Sequence, residues 1–286
     1  MIRRLALLAA LALAPAPSTA QTHFGYVGIL CGLEAKGEDF AAEVAPFTNI
    51  AHVCPSGDIA TDAARLARAW ELGMTPLYHV EPFFFRRTET SLRRLRSYDL
   101  WQQALLAIAQ SGVPTEALIL YVADEPSLVR ADTWNIYNVT QRIQADLPGA
   151  RTMVIDAYRE RFRPQIAWGV DYWGFNRYLV RDPANDPVFM DYLRSVINNT
   201  PNYIELVLVM DSTHTEYHAE AGITSEDMAE VARNYAALAA ATDRVGILMA
   251  YAWPSDIDGT RERGARDLPA AVRAAHEEIG RAITGR

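Results

Sequence analysis

The chain has 286 residues, half of them hydrophobic, and carries 35 acidic against 27 basic side chains, a formal charge of −8. Such an acidic balance excludes a phosphate-backbone binder, which needs clustered cations, and gives little attraction to anionic lipid. Neutral ligands such as sugars fit the charge, and no cofactor is expected.

The first twenty residues read as an address. Arg3 and Arg4 form a short basic region, Leu5 to Leu13 are almost entirely Leu and Ala, and Ser18-Thr19-Ala20 offers small residues for cleavage before Gln21. The apolar run is far shorter than the roughly 20 residues of a membrane span. A cleaved export signal over 1–20 is therefore expected, by the general secretory route, with a secreted or periplasmic product and no membrane contact after cleavage. The arginine pair is only a weak twin-arginine signal.

Residues 21–286 then alternate short apolar runs with longer helical stretches. The predicted strands are His23–Leu30, Asn49–Cys54, Thr75–Val80, Ala117–Ala123, Thr152–Asp156, Tyr172–Arg177, Tyr203–Met210 and Val245–Tyr251. Most do not alternate polar with apolar, as expected of parallel strands buried on both faces. Predicted helices fill the gaps at 61–72, 97–109, 130–147, 186–196, 225–241 and 268–283, and Gly73 marks the end of the first. The connection after the fifth strand is weakly patterned. No linker or repeat divides the chain. Eight strand–helix units in one domain predict an α/β fold, a closed (β/α)₈ barrel. An open doubly wound sheet would favour a glycine-rich phosphate turn after strand one, and Leu30-Cys31-Gly32-Leu33-Glu34 is not one.

Barrels of this kind work at the C-terminal ends of their strands. Those ends carry Cys54-Pro55, His79-Val80-Glu81-Pro82, Asp124-Glu125-Pro126, Asp156-Ala157-Tyr158, Asn176-Arg177-Tyr178, Asp211-Ser212-Thr213-His214 and Tyr251-Ala252-Trp253-Pro254. The opposite ends read as blander, as at Thr75-Pro76 and Ala117. Side chains alternate along a strand, so Asp124 and Glu125 are expected to leave in different directions, one entering a pocket and one bracing it. A carboxyl beside another carboxylate and aromatic walls has a raised pKa, which suits a general acid. The plainer alternative has Asp124 or Asp132 capping the next helix and Glu125 solvated. Tyr158, Tyr178, Tyr251 and Trp253 offer ring faces to a sugar, and His79, Glu81 and Asn176 offer hydrogen bonds. Phe83-Phe84-Phe85, three consecutive aromatics, are not expected all to face one core, so at least one is expected to be exposed or to line a pocket.

A Glu after an apolar fourth strand and before Pro resembles the Asn-Glu-Pro motif of clan A glycoside hydrolases, in which that Glu is the acid/base. Trp253 resembles the sugar-stacking tryptophan of that clan. The resemblance implies a (β/α)₈ glycosidase with Glu125 as proton donor. It departs at Asp124, where the clan has Asn, and at strand seven, where the clan's nucleophilic Glu is replaced by Asp211. Glu205 lies at the wrong end of that strand. The Asp-Glu pair is also similar to hexosaminidases of families 20 and 123, in which the substrate's acetamido group is the nucleophile, the Asp orients it and the Glu protonates the leaving oxygen. Asp211 and Asp156 are the candidate partner carboxylates of Glu125, and their separation from it would set the stereochemistry.

A resident metal is not expected. Strand one has Gly28-Ile29-Leu30 where metal-dependent barrel hydrolases carry His-x-His; either of the pairs His79/Glu81 and His214/His218 has the types to hold a cation, but a lone pair reads first as structural or hydrogen-bonding. The only lysine, Lys36, lies in the first loop rather than on a strand end, which argues against Schiff-base chemistry. Cys31 and Cys54 end neighbouring strands, where a disulfide and two buried free thiols are both open. Three functional readings follow: an exported glycoside hydrolase, a non-catalytic carbohydrate-binding barrel that has lost the strand-seven nucleophile, and a hydrolase or lyase on another substrate. No oligomer signal is present.

Overall fold

A computed structural model describes residues 21–32, 39–160, 164–257 and 261–286. The expected export signal and Lys36 lie outside the described residues. The barrel strands are β1 (His23–Leu30), β2 (Ile50–Val53), β3 (Thr75–His79), β4 (Ile119–Asp124), β5 (Arg151–Ala157), β6 (Tyr172–Asn176), β7 (Glu205–Asp211) and β8 (Val245–Tyr251). All pair in parallel and close into a ring in the order β1-β8-β7-β6-β5-β4-β3-β2. The expected (β/α)₈ barrel is the observed architecture.

Alternation explains why the strands looked uniformly apolar. Ile50, Leu77, Ile119, Met153, Ile155, Val207, Val209, Ile247 and Met249 fill the interior of the barrel. Their strand neighbours, such as Phe24, Tyr26, Val53, Tyr78, Leu120, Trp173 and Leu208, face the surrounding helices. Each fully buried large side chain contributes roughly 1.5–3 kcal/mol, so both layers stabilise the ring. Gly25 is required where β1 meets β2, because a Cβ there would lie 2.2 Å from the Ile50 carbonyl oxygen.

The helices are α1 (Phe40–Val44), α2 (Ile59–Glu71), α3 (Glu81–Phe84), α4 (Asp99–Ser111), α5 (Thr133–Asp146), α6 (Pro187–Asn199), α7 (Glu216–Glu220), α8 (Met228–Ala240) and α9 (Ala270–Thr284). Aspartates start several of them. Asp58 accepts the Thr61 N–H on α2, Asp186 the Phe189 N–H on α6, and Asp132 the Trp134 N–H on α5. The last bond sets the start of α5 later than the apolar pattern suggested, because a cap lies outside the helix it begins. The described part of the β5–β6 connection holds no helix. No described helix is long and apolar enough to cross a membrane.

The β3–β4 connection corrects one expectation. Phe83, Phe84 and Phe85 are all buried. The chain changes from α3 to a hairpin strand (Phe85–Thr88, paired with Ser91–Arg94) between Phe84 and Phe85. The change of period lets three consecutive rings turn inward. Phe83 meets Tyr78, and Phe84 packs on Trp101 at 4.7 Å. A second ribbon, Thr213–His214 against Arg263–Gly264, joins the segments that follow β7 and β8. Cys31 and Cys54, at adjacent strand ends, form a disulfide with a Cα separation of 4.6 Å.

Candidate functional site

A cavity of about 520 Å³ opens at the C-terminal end of the barrel. Its deepest lining comes from the same inward positions that fill the barrel below, with His52 on β2, His79 on β3, Tyr121 on β4 and Ile155 on β5. Asp124, Glu125, Asn176, Tyr178 and Tyr251 also line it.

Both acids of the Asp124-Glu125 pair therefore enter the cavity, and the expectation that they diverge is corrected. Two local features account for this. The register of β4 against β5 shifts between Tyr121 and Ala123, so Val122 and Ala123 both join the outer core and Asp124 takes the inward turn. Bulges re-aim side chains in this way. Glu125 then adopts φ +43°, a left-handed conformation costly to a residue with a Cβ. Surrounding bonds hold it there. The Glu125 N–H donates to the Ile155 carbonyl at 2.7 Å, the Leu128 N–H donates to the Glu125 carbonyl, and the Ala131 N–H donates to that of Pro126.

The electrostatics favour protonated acids. Burial, followed by the neighbouring charge of Asp124, raises the Glu125 pKa, while the Asn176 amide and Arg87 oppose the rise. Asn176 Nδ2 donates to Glu125 Oε1 at 2.5 Å. Burial also raises Asp124, whose Oδ1 accepts the Tyr121 hydroxyl. His52 and His79 are pushed the other way by burial, to about 3 and about 4. The Gly28 N–H donates to His52 Nδ1 at 3.0 Å, so the neutral ring carries its proton on Nε2.

Five residues expected in the cleft do other work. Glu81, the first residue of α3, is buried, grips Arg87 through both oxygens at 2.6 and 2.7 Å, and accepts the Asp124 N–H at 2.8 Å. It positions the β4 end without lining the cavity. Asp156 is buried and its Oδ1 accepts the Ser127 and Ala157 N–H groups, anchoring the loop just after Glu125. Asp211 is buried; its Oδ2 accepts the Leu179 N–H and pairs with His218 Nε2, each at 2.9 Å. Thr215 donates its N–H to His218 Nδ1, which leaves the neutral ring's proton on Nε2, pointing at Asp211. Tyr158 turns outward against Tyr192 of α6, with the Arg177 guanidinium 4.9 Å from its ring centre. Trp253 is buried in the helix layer against Tyr26 and Phe47, and its indole N–H donates to Glu43. Trp253 lies beyond the end of β8 at Tyr251, where the alternation of the strand no longer sets its direction. Tyr251, tilted against Tyr178 at 5.6 Å, is the β8-end aromatic that faces the cavity.

Sequence reasoning missed His52, Tyr121, Thr213, Thr215, Tyr217, His218 and Glu262 as lining residues. His52 and Tyr121 follow Ile50 and Ile119 at the two-residue spacing of an inward strand face, a signal available in the sequence. Tyr217, 61% exposed at the cavity wall, sits on α7, too short a helix to show a period. Cys31, His52 and Cys54 lie close together, but the two sulfurs are bonded to each other and His52 Nδ1 accepts a backbone N–H. This group is therefore not arranged as a cation cage. His214 Nε2 lies 3.0 Å from the Ile223 carbonyl, and both His218 nitrogens are engaged. Neither histidine is turned to a shared ion.

No protein-family model matches the chain, and no curated protein matches it by sequence. Its barrel is similar to that of solved glycoside hydrolases. Xylanase 10B from Thermotoga maritima superposes with a TM-score of 0.58 at 12% identity, over 94% of this chain and 98% of the xylanase. A GH113 β-1,4-mannanase gives 0.58 at 11% identity, over 90% and 98%. The active domain 2 of a chitinase from Pyrococcus furiosus gives 0.57 at 11% identity, over 94% and 99%. Likeness at these identities establishes the shared barrel and leaves the chemistry to the residues.

Proposed function

We propose that this chain is an exported glycoside hydrolase with Glu125 as the proton donor. One observation carries the reading: the Glu125 carboxyl, with a raised pKa, lines a cavity walled by tyrosine rings and by neutral hydrogen-bonding groups. A general acid must be protonated at working pH and must reach the leaving oxygen. Burial and the Asp124 charge raise the Glu125 pKa in the direction of the first condition, and the inward turn at φ +43° brings the side chain into the cavity that the second requires. The rings of Tyr178, Tyr251 and exposed Tyr217 offer faces to the C–H surfaces of a sugar. Asn176 and the threonines offer partners for hydroxyls. A resemblance to fourth-strand acid/base motifs and a barrel like those of a xylanase, a mannanase and a chitinase support the same reading. Residues 1–20 serve in it as a cleaved signal, so the mature chain begins at Gln21, which mass spectrometry of the secreted product checks.

The second reading is a carbohydrate-binding barrel without turnover. Asp211, the strand-seven acid, is withdrawn onto His218 and Leu179, which favours it. One experiment separates the two. Wild type and Glu125→Gln are incubated with xylan, mannan, chitin and starch oligosaccharides, and product release and calorimetric binding are both measured. Cleavage by wild type, with binding but no cleavage by the variant, supports the hydrolase. Binding without cleavage by wild type supports the binder. Neither binding nor cleavage on the panel sinks both.

A further inference from the structure

With Asp211 withdrawn, a hydrolase needs its second carboxylate from elsewhere. Among the described residues, three carboxyl side chains line the cavity: Asp124, Glu125 and Glu262. Asp124 is joined to Glu125 in sequence and shares its wall. We infer that Glu262 is the general base facing Glu125; the inference rests on the glycoside-hydrolase reading.

The fold brings Glu262 to this place by a route that strand-end reasoning does not follow. It lies in the segment after β8, immediately before the strand Arg263–Gly264, which pairs antiparallel with Thr213–His214 in the register Thr213↔Gly264 and His214↔Arg263. That ribbon lays the segment against the chain leaving β7, where Asp211 is turned away. Gly264 fits this route because a Cβ would lie 2.3 Å from the Pro254 carbonyl oxygen and 2.4 Å from that of Trp253. Glu262 itself is 2% exposed. Its Oε1 accepts the Ile257 N–H at 2.6 Å, and its own carbonyl accepts the Asp256 N–H at 3.1 Å. Side chain and backbone are thus both held while the residue lines the cavity.

The placement also favours a base over a nucleophile. In the closed ring, β8 is four strands from β4 in either direction, so Glu125 and the segment carrying Glu262 enter from opposite sides. Carboxyls far enough apart to admit a water give the inverting arrangement, and in this assignment Glu125 and Glu262 are such a pair. In the step, Glu262 takes a proton from water as the water oxygen bonds to the anomeric carbon. The glycosidic C–O bond breaks, its electron pair stays on the leaving oxygen, and that oxygen takes the proton of Glu125. Exchange with solvent returns the proton to Glu125 and removes it from Glu262.

The test uses natural oligosaccharides of the panel beside 2,4-dinitrophenyl glycosides of xylose, mannose, N-acetylglucosamine and glucose, whose leaving group needs no proton. Glu125→Gln should lose activity on the oligosaccharide and keep it on the dinitrophenyl glycoside. Glu262→Gln, which can still accept the Ile257 N–H, should lose about 10²–10⁴-fold in kcat on both, with an unchanged melting temperature. Azide should restore turnover to Glu262→Ala by forming a glycosyl azide, which a merely structural role would not allow. Proton NMR of the wild-type reaction should show the inverted anomer first. Activity of Glu262→Gln within tenfold of wild type on both substrates, or a retained anomer from wild type, overturns the inference. The anomer measurement decides even where the variants do not fold. Failure of wild type on the whole panel overturns instead the hydrolase reading beneath it.

Discussion

Both ends of the barrel carry charged groups, and they hold them by different means. At the N-terminal end, Arg244 donates to the carbonyls of Ile197, Thr200, Pro201 and Ile204 at 2.6–3.0 Å. Arg286 donates to those of Ala45, Leu72 and Gly73. Asp171 accepts both the N–H and the hydroxyl of Thr152. Each charge meets backbone dipoles of the right sign and ties one strand start to its neighbour. At the C-terminal end, carboxyls crowd each other. Glu81 and Asp156 help to raise Asp124, and Asp124 helps to raise Glu125. The backbone there departs from the easy regions at Glu125 and at Leu179, with φ of +43° and +62°. Charge alone does not mark the working end, since burial also lowers the pKa of Arg244 and of Arg286; carboxyls that crowd one another on a left-handed backbone do.

Substitutions at the two ends should therefore fail differently. The largest effect is expected from Glu125→Gln, about 10²–10⁴-fold in kcat on an unactivated oligosaccharide, without loss of folding. Arg244→Ala should give the converse. It strips the charged donor from four carbonyls and should destabilise the chain by about 3 kcal/mol, in the range of charge-assisted bonds, with kcat unchanged below the melting transition. Thermal unfolding and kinetics on the same two proteins test this crossing. A loss of activity in folded Arg244→Ala, or a collapse of stability in Glu125→Gln, would break the contrast between the ends.

A smaller effect sharpens it. Arg87 is held by Glu81 and bonds the Asp124 carbonyl, and its charge lowers both Asp124 and Glu125. Arg87→Met removes that restraint, so the Glu125 pKa rises further. A general acid works while protonated, and the fall of kcat on the alkaline side should then move to higher pH, with about a tenfold lower maximum from the loosened β4 end. A pH–rate profile that moves to lower pH would assign the controlling group to something other than Glu125.

The barrel was legible because each strand and helix carries its own period, and eight strands followed by helical stretches leave few topologies. Asp124, Glu125, His79, Asn176, Tyr178 and Tyr251 were legible because strand ends of a barrel converge. The remainder turned on contacts between distant segments. Asp156, Asp211 and Glu81 look like site acids in sequence, but each is captured by a backbone N–H or a cation that only the folded chain brings near. Trp253 and Tyr158 fell on outward positions once the turns were set. The blander reading of the N-terminal ends came from Thr75, Pro76 and Ala117; it overlooked Arg151, Asp171 and Arg244, which sit at or just before other strand starts. Glu262 gives no sequence signal, since its place depends on a two-residue ribbon.

The smallest expected effect concerns stability alone. A carboxyl whose native pKa is raised binds more protons in the folded than in the unfolded chain between the two pKa values, so stability falls as pH rises through that window. Glu125 starts from 4.5 and is raised by burial and by Asp124. Its ionisation therefore opposes folding near neutral pH and does not below its unfolded value. Glu125→Gln should melt at about the wild-type temperature near pH 4 and a few degrees higher at pH 7, an increment of order 1 kcal/mol. Buried His52 and His79 act in the other sense, their stabilising contribution being present above 6.5 and lost as pH falls towards about 3 and 4. They are common to both proteins, so the difference between the two melting curves isolates Glu125. A gap that is equal at pH 4 and pH 7 would mean that the carboxyl is not held against its preference, and the contrast between the two ends of the barrel would then rest on geometry alone.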